Sequence, residues 1–167
     1  MPVDDALLAS VRENIGTDIT HDLGTITAVM IRRYARAIGE RNPLYFDAGY
    51  ARSHGHADIV APPNFLTAVS IWDEGPPSED LREDGTPETL DLMGLPKSGV
   101  RVMGGGEHMQ FHAPVTAGTT VVERTTMADA ELRQGRTGEF IVISYRHEFV
   151  DEDGRLLVTS IRKVLLR

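Results

Sequence analysis

Cysteine is absent from the 167 residues, and its absence removes disulfides, thiolate nucleophiles and Cys-ligated zinc together. Such usage suits a reducing compartment, and the expected location is cytoplasmic. No run of about 18 apolar residues occurs, so no membrane-spanning helix is expected. The opening stretch, MPVDDALLASVRENIG, carries acidic residues early and lacks an apolar run of signal-peptide length. An excess of positive charge is lacking too. The formal net charge is −8, and an acidic surface repels nucleic-acid phosphates, so no nucleic-acid partner is expected. A local basic patch can still hold an anionic ligand.

What is present is ordinary for a globular chain: 41% apolar and 25% charged residues. The length fits one domain over 1–167, since domains cluster at about 100–150 residues, and it allows a substantial core. There is no internal repeat.

The front half reads as helices. Leu7, Leu8 and Val11 stand at helical spacing within Asp4 to Asn14, and Gly16 ends that segment. Thr17 to Ile26 is β-branched and broken by turn residues, as in a first strand or extended arm. Thr27 is an N-cap for a helix running to Ile38, with Ile31, Tyr34, Ala35 and Ile38 at i, i+3, i+4 and i+7 and Gly39 as its terminator. Asn42-Pro43 forces an extended turn, and Asp47 to Arg52 can add one or two helical turns. Ala61-Pro62-Pro63-Asn64 is a further start signal, with proline tolerated at the first helical position. The segment from Pro63 to Trp72 is apolar almost all round, which predicts a long, buried helix. From Asp73 to Lys97 the chain is polar and rich in Pro and Gly, with one helical turn expected at Glu88 to Met93.

The back half changes period. Val100 to His112, Thr119 to Ala130, Thr137 to Val150 and Leu156 to Leu166 are runs rich in Val, Ile, Thr, Phe and Tyr. Asp151-Glu152-Asp153-Gly154 is a strong hairpin signal, and short turns between strands predict an antiparallel meander. Helices followed by strands make the α+β class, with one buried helix against a curved sheet of five or more strands.

The informative stretch is Gly39-Glu40-Arg41-Asn42-Pro43-Leu44-Tyr45-Phe46-Asp47, followed by Ala61-Pro62-Pro63-Asn64-Phe65-Leu66 and, later, Gly106-Glu107-His108-Met109-Gln110-Phe111-His112-Ala113-Pro114-Val115 with Ala117-Gly118. This resembles the MaoC-like hydratase/dehydratase family, in the subgroup related to the dehydratase domain of fungal fatty-acid synthase. The family's motif is Gly-Asp-x-Asn-Pro-aliphatic-His-x-Asp. Gly39, Asn42, Pro43, Leu44 and Asp47 match it. Glu40 stands at the family's catalytic aspartate and Tyr45 at its catalytic histidine. APPNFL is similar to the start of the family's central helix.

The resemblance implies a single hot-dog fold and a chemistry of adding water to, or removing it from, acyl-coenzyme A thioesters, with no other cofactor. Hydration of a 2-enoyl thioester needs a base for water at C3, an acid at C2 and donors for the enolate oxygen. In the resembled family an Asp/His pair activates the water, and amides at the start of the buried helix hold the thioester carbonyl. Here those amides are near Asn64 and Phe65, with Gly39, Asn42, Pro43 and Pro63 in the same substrate-binding neighbourhood.

The departures set the functional expectation. Glu40 carries its carboxylate one methylene further out, and catalysis is sensitive to misplacement of about 1 Å. Tyr45 replaces imidazole with a phenol of reference pKa about 10, which is no base at neutral pH. Some members of the family work as heteromers in which one hot-dog subunit carries the Asp/His pair and the other shapes the acyl pocket, for a long chain or a steroid side chain. This chain resembles the second kind, and Asp73 to Lys97 is placed to widen the channel. The alternatives are a self-sufficient homodimeric hydratase using Glu40, or a non-enzymatic acyl-thioester or lipid-binding protein.

Other clusters read more plainly. His54-Gly55-His56 with Asp58 gives too few ligands for zinc, and no metal is expected. Gly104-Gly105-Gly106 in a strand marks a bulge or a close backbone approach, to the buried helix or to pantetheine. His108 and His112 share one strand face by period 2 and read as surface or interface residues. Arg32, Arg33, Arg36 and Arg41 either reach the coenzyme A phosphates or form a solvated helix face.

Overall fold

The computed structural model describes residues 3–70, 77–81, 85, 95–96 and 98–167. The helical turn expected at Glu88 to Met93 lies outside them. So do Ile71 and Trp72, and most of the stretch from Asp73 to Lys97.

Among the described residues, four α-helices and five strands carry the fold. Helix α1 (Asp5–Arg12) is capped by Asp4, whose carboxylate accepts from the Leu7 amide at 2.9 Å. Strand β1 (Asp18–Thr25) follows, then α2 (Ala28–Ala37), capped by the Thr27 hydroxyl. A 3-10 turn at Pro43–Tyr45, α3 (Ala48–Ser53) and α4 (Phe65–Val69) complete the helical half. Strands β2 (Val102–Phe111), β3 (Thr120–Gly135), β4 (Gly138–Asp151) and β5 (Leu156–Leu166) form the rest.

The sheet is antiparallel, in the order β1-β3-β4-β5-β2. Two hairpins join β3, β4 and β5 as expected, the second at Asp151–Gly154, where Gly154 has φ 77°. The four back-half runs do not form one meander, however. β2 pairs with β5 at the far edge, so residues 112–119 cross over to β3. Periodicity marks strands but not their neighbours, which is why the order was not readable. The triple glycine is a bulge: the β2–β5 register shifts between Gly104 and Gly106. The close approach is to β5, not to the helix or a ligand, for a Cβ on Gly105 would meet Lys163 at 3.0 Å.

Alternation sends Val121, Glu123, Thr125 and Met127 of β3 inward, with Ile141, Ile143, Tyr145, His147 and Phe149 of β4. Two apolar clusters cover this concave face. Leu7, Leu8 and Val11 of α1 pack on Met127, Ala130, Ile143 and Tyr145. Phe65, Leu66 and Val69 of α4 pack with Ile31, Val121, Phe149 and Val158. The central helix is thus buried as expected, but within the described residues it spans five residues, and a second helix shares its role.

Between the two clusters runs a polar belt. Thr125 on β3, His147 on β4 and Ser160 on β5 stand directly opposite one another and are buried. His147 Nδ1 lies 2.8 Å from Glu123 Oε1 and 3.0 Å from Thr125 Oγ1. At the outer end the Ser160 hydroxyl donates to Glu107 Oε1 at 2.5 Å. Truncating one member of a buried pair strands the other without solvent, at a cost of about 3–5 kcal/mol. Glu123→Ala and His147→Ala are therefore each expected to lower the unfolding free energy by that amount in urea titrations. Losses under about 1 kcal/mol would mean that the pair is not held in the folded core.

Candidate acyl-binding site

The turn after α2 is built by local bonds. Gly39, at φ 78°, occupies the left-handed region that glycine enters freely. Its amide donates to the Arg36 carbonyl at 3.1 Å, and that of Glu40 donates to Ala35 at 2.9 Å. These two bonds close the helix as a Schellman motif. Asn42 Oδ1 then accepts from the Leu44 amide at 3.1 Å, and Pro43 starts the 3-10 turn. Asp47 closes the segment by capping α3 through the Tyr50 amide at 3.0 Å. Arg32 ties this segment to α2, donating from Nε to the Phe46 carbonyl at 3.2 Å.

The result is a platform that presents Leu44 and Tyr45 to a cleft of about 400 Å³. The far wall is the segment from Val60 to Leu66, and the floor is Met109, Phe111 and Val158 on the concave side of β2 and β5. Ala113 to Val115, in the crossover, complete it. That segment is stitched to the far wall by the Ala61 amide on the Val115 carbonyl at 2.8 Å and by a Val60–Thr116 bridge. The size and apolar lining suit an acyl group.

The structure brings together Tyr45, Pro63, Asn64 and Phe65 in the lining. Gly39, Glu40, Asn42 and Pro43 lie in the turn behind it, with Glu40 exposed. Glu40 is nevertheless close enough for its charge to be felt by Tyr45. The Tyr45 phenol is held above its ordinary value, first by burial and then by the Glu40 carboxylate. A phenol so held stays neutral at ordinary pH.

Proline does not open α4. Pro62, Pro63 and Asn64 form a turn first, and Asn64 adopts the left-handed region at φ 66°, the one described non-glycine residue to do so. Asparagine tolerates that region better than most side chains, and such backbone is stored where surroundings over-determine it. Here the surroundings are specific. Thr67 donates from Oγ1 to Asn64 Oδ1 at 2.5 Å, and the Asn64 side chain hydrogen-bonds the Tyr34 hydroxyl. Burial holds the Tyr34 phenol above its ordinary value, and this bond opposes the shift. The Tyr34 ring packs edge-on against Phe65, with centroids 5.4 Å apart. Of the amides expected to hold a carbonyl, that of Phe65 is already committed to Pro62 at 3.2 Å.

Histidines divide by face. His112 lines the cleft by position, but its Nε2 bonds Thr159 Oγ1 at 3.0 Å on the convex side. His56, from the loop after α3, also lines the cleft; the sequence reading weighed it only as a metal ligand with His54 and Asp58, because nothing local ties that loop to the cleft. Its neighbours have local roles: His54 stacks on Tyr50, and Asp58 pairs with Arg52 at 2.7 Å. The buried Glu123–His147 pair was also missed. Strict alternation with Val121, Tyr145 and Phe149 was the signal that would have placed both inward.

Fold and cleft together define a hot-dog protein of the MaoC-like hydratase/dehydratase class. The chain belongs to the family described as the FAS1-like dehydratase domain region, whose model matches residues 13–160. A UPF0336 protein of Parafrankia sp. is 39% identical over 127 residues, covering 76% of this chain and 74% of that one. A UPF0336 protein of Streptomyces griseus is 31% identical, covering 82% and 81%. Among solved structures, the ChsH1-ChsH2 complex of Mycobacterium tuberculosis matches with TM-score 0.73 at 21% identity, over 96% of this chain and 88% of that one. The HadBC (3R-hydroxyacyl-ACP dehydratase) complex from the same organism gives 0.68 at 19%, over 91% and 96%. The MaoC-like dehydratase of Rhodospirillum rubrum gives 0.60 at 15%, over 90% of each. No helix among the described residues is long and apolar enough to cross a membrane.

Raised phenols have a spectroscopic signature. In alkaline titration at 295 nm, Tyr45 is expected to ionise above the ordinary tyrosine value of 10.0. Tyr45→Phe should remove a late-titrating phenol, and Glu40→Gln should bring that phenol's titration down. The folded value is the higher one, so the stabilisation is present below pH 10 and is lost as pH rises through it. An ordinary titration of Tyr45, unmoved by Glu40→Gln, would contradict this geometry.

Proposed function

We propose that this chain is the acyl-shaping, non-catalytic subunit of a two-subunit hydratase/dehydratase acting on pantetheine-linked acyl thioesters such as acyl-coenzyme A. Its partner is a second hot-dog subunit carrying the Asp/His pair. The observation that carries the reading is the composition of the cleft wall at the catalytic slot. A phenol held in its neutral form stands where the family has imidazole, and the carboxylate of Glu40 faces solvent outside the lining. Such a wall binds and orients an acyl group but has no paired base to activate water.

Two further observations favour a partner. β2 is an edge strand ten residues long, mostly exposed, with Phe111 of the cleft floor 54% exposed. Edges of that kind invite pairing with another chain. Two structural neighbours are described as complexes, HadBC and ChsH1-ChsH2. Pairing along β2 covers the edge and brings a partner's residues to the open side of the cleft.

A second reading, a self-sufficient hydratase, has one observation in its favour: His56 lines the cleft. The two readings separate cleanly in an assay of the purified chain on crotonyl- and long-chain enoyl-coenzyme A. The proposal expects turnover near background alone, restored by a hot-dog partner with an intact Asp/His pair, and less than a twofold effect of Glu40→Gln in the restored complex. Turnover by the isolated chain that His56→Gln or Glu40→Gln abolishes would establish the second reading. In light scattering the chain is expected as a dimer or in complex, and a monomer at micromolar concentration with its partner present would count against the paired edge.

A further inference from the structure

Among the described residues that line the cleft, the polar side chains are Tyr45, His56, Asn64 and His112. Two of them are committed elsewhere. Asn64 accepts from Thr67 at 2.5 Å and hydrogen-bonds the Tyr34 hydroxyl. His112 is held through Nε2 to Thr159 Oγ1 at 3.0 Å. Tyr45 and His56 are not committed. Among the described residues neither the phenol hydroxyl nor the imidazole makes a hydrogen bond, and both residues are half-buried. The backbone that carries them is nevertheless fixed. Arg52 pins the His56 loop, donating from Nε to the Ala57 carbonyl at 3.2 Å and pairing with Asp58 at 2.7 Å. Ile59, fully buried, anchors the end of that loop. The Val60 amide donates to the Leu44 carbonyl at 2.9 Å, which joins this segment to the platform one residue before Tyr45. Loop and platform thus present two uncommitted polar groups to a cleft that is otherwise largely apolar.

Resting on the reading of the cleft as a thioester site, we propose that the Tyr45 hydroxyl and the His56 imidazole together hold the thioester carbonyl oxygen of the bound acyl group. Both keep a donor at ordinary pH. The phenol is neutral, and imidazole carries at least one N–H whether or not it is protonated. An acyl chain entering this lining removes water from both groups, and a buried donor left without an acceptor is costly. The ligand must therefore bring an acceptor to that depth. The carbons of the chain bring none, and the sulfur is a weak one. Carbonyl oxygen is the acceptor that fits. The pantetheine arm carries the same chemistry in its amides, but with the acyl tail in the apolar cleft the thioester carbonyl is the one nearest the tail. The backbone alternative is weakened, because the Phe65 amide already donates to Pro62 at 3.2 Å. Two donors on one oxygen fix where the acyl chain begins, and so how far its tail reaches along the floor at Met109 and Val158.

The test follows the carbonyl itself. Difference infrared spectra compare octanoyl-pantetheine, labelled with carbon-13 at the thioester carbonyl, free and bound to the full chain. Donation to that oxygen is expected to move the labelled stretch to lower wavenumber on binding. Y45F and H56F should each return part of the shift and Y45F/H56F all of it, whereas H56Q, which keeps an N–H, should retain more of it than H56F. The thioether analogue keeps the pantetheine amides and lacks this carbonyl. It should bind the wild-type chain about tenfold more weakly than the thioester, the order of one hydrogen bond, and Y45F/H56F should bind the two alike. Circular dichroism checks that each variant is folded, and the wild-type measurements decide the matter without them. A labelled stretch unmoved by binding, or a thioether bound as tightly as the thioester, overturns the contact while leaving the cleft reading intact. A shift that persists in Y45F/H56F overturns it in favour of backbone amides. An equal loss of affinity for thioester and thioether in the variants overturns it in favour of the pantetheine amides. Failure of octanoyl-pantetheine to bind at all defeats the cleft reading, and this contact with it.

Discussion

The site depends on the register of β3, β4 and β5. Side chains alternate faces with a period of two, so a slip of one residue would invert every strand's pattern. It would bury Arg124 and Arg146 and expel Val121, Tyr145 and Phe149, the residues that α1 and α4 cover. The Glu123–His147 contact sits where the two apolar clusters meet, opposite Thr125 and beside Ser160. Only the observed register lets those polar groups find one another. Apolar area alone would tolerate more than one pairing, and a buried hydrogen-bonded group is less forgiving.

From that register the cleft follows. Val158 lies opposite Phe111 and Ser160 opposite Met109, so the floor is set by the β5–β2 pairing. The bulge at Gly104–Gly106 corrects the phase of β2 so that Met109 and Phe111 face inward. The crossover after β2 then binds the Val60–Ala61 wall, and the platform from Gly39 to Asp47 closes the remaining side. Tyr45 reaches the cleft because Asn42, Pro43 and Asp47 spend their hydrogen bonds on the turn. These motif residues act on the cleft by shaping the backbone that carries Tyr45.

Much of this was legible in the sequence. Leu156 to Leu166 was readable to the residue, and the caps at Thr27 and Gly39 were predictable, because each rests on local chemistry. The place of β2 beside β5 was not, since pairing order is a long-range property. Helix α4 was overestimated because apolar composition says that a segment is buried and little about where it starts. Asn64 inserts a left-handed residue ahead of the helix, held by Thr67 and Tyr34, and that contact set exists only in the fold. The motif resemblance located Tyr45 in the cleft wall. Residue type alone could not show that Glu40 stands outside it, because one turn of backbone separates the two.

The proposed function requires an acyl thioester to lie in this cleft against Tyr45. The most direct measurement is photoaffinity labelling of the chain with an acyl-pantetheine bearing a diazirine on its acyl tail, with the labelled residues mapped by mass spectrometry. Labels are expected on Leu44 or Tyr45, on the segment from Val60 to Leu66, and on Met109 or Phe111, all suppressed by excess enoyl-coenzyme A. Labels confined to the convex face or to residues outside the cleft, or labelling that enoyl-coenzyme A does not suppress, would contradict it.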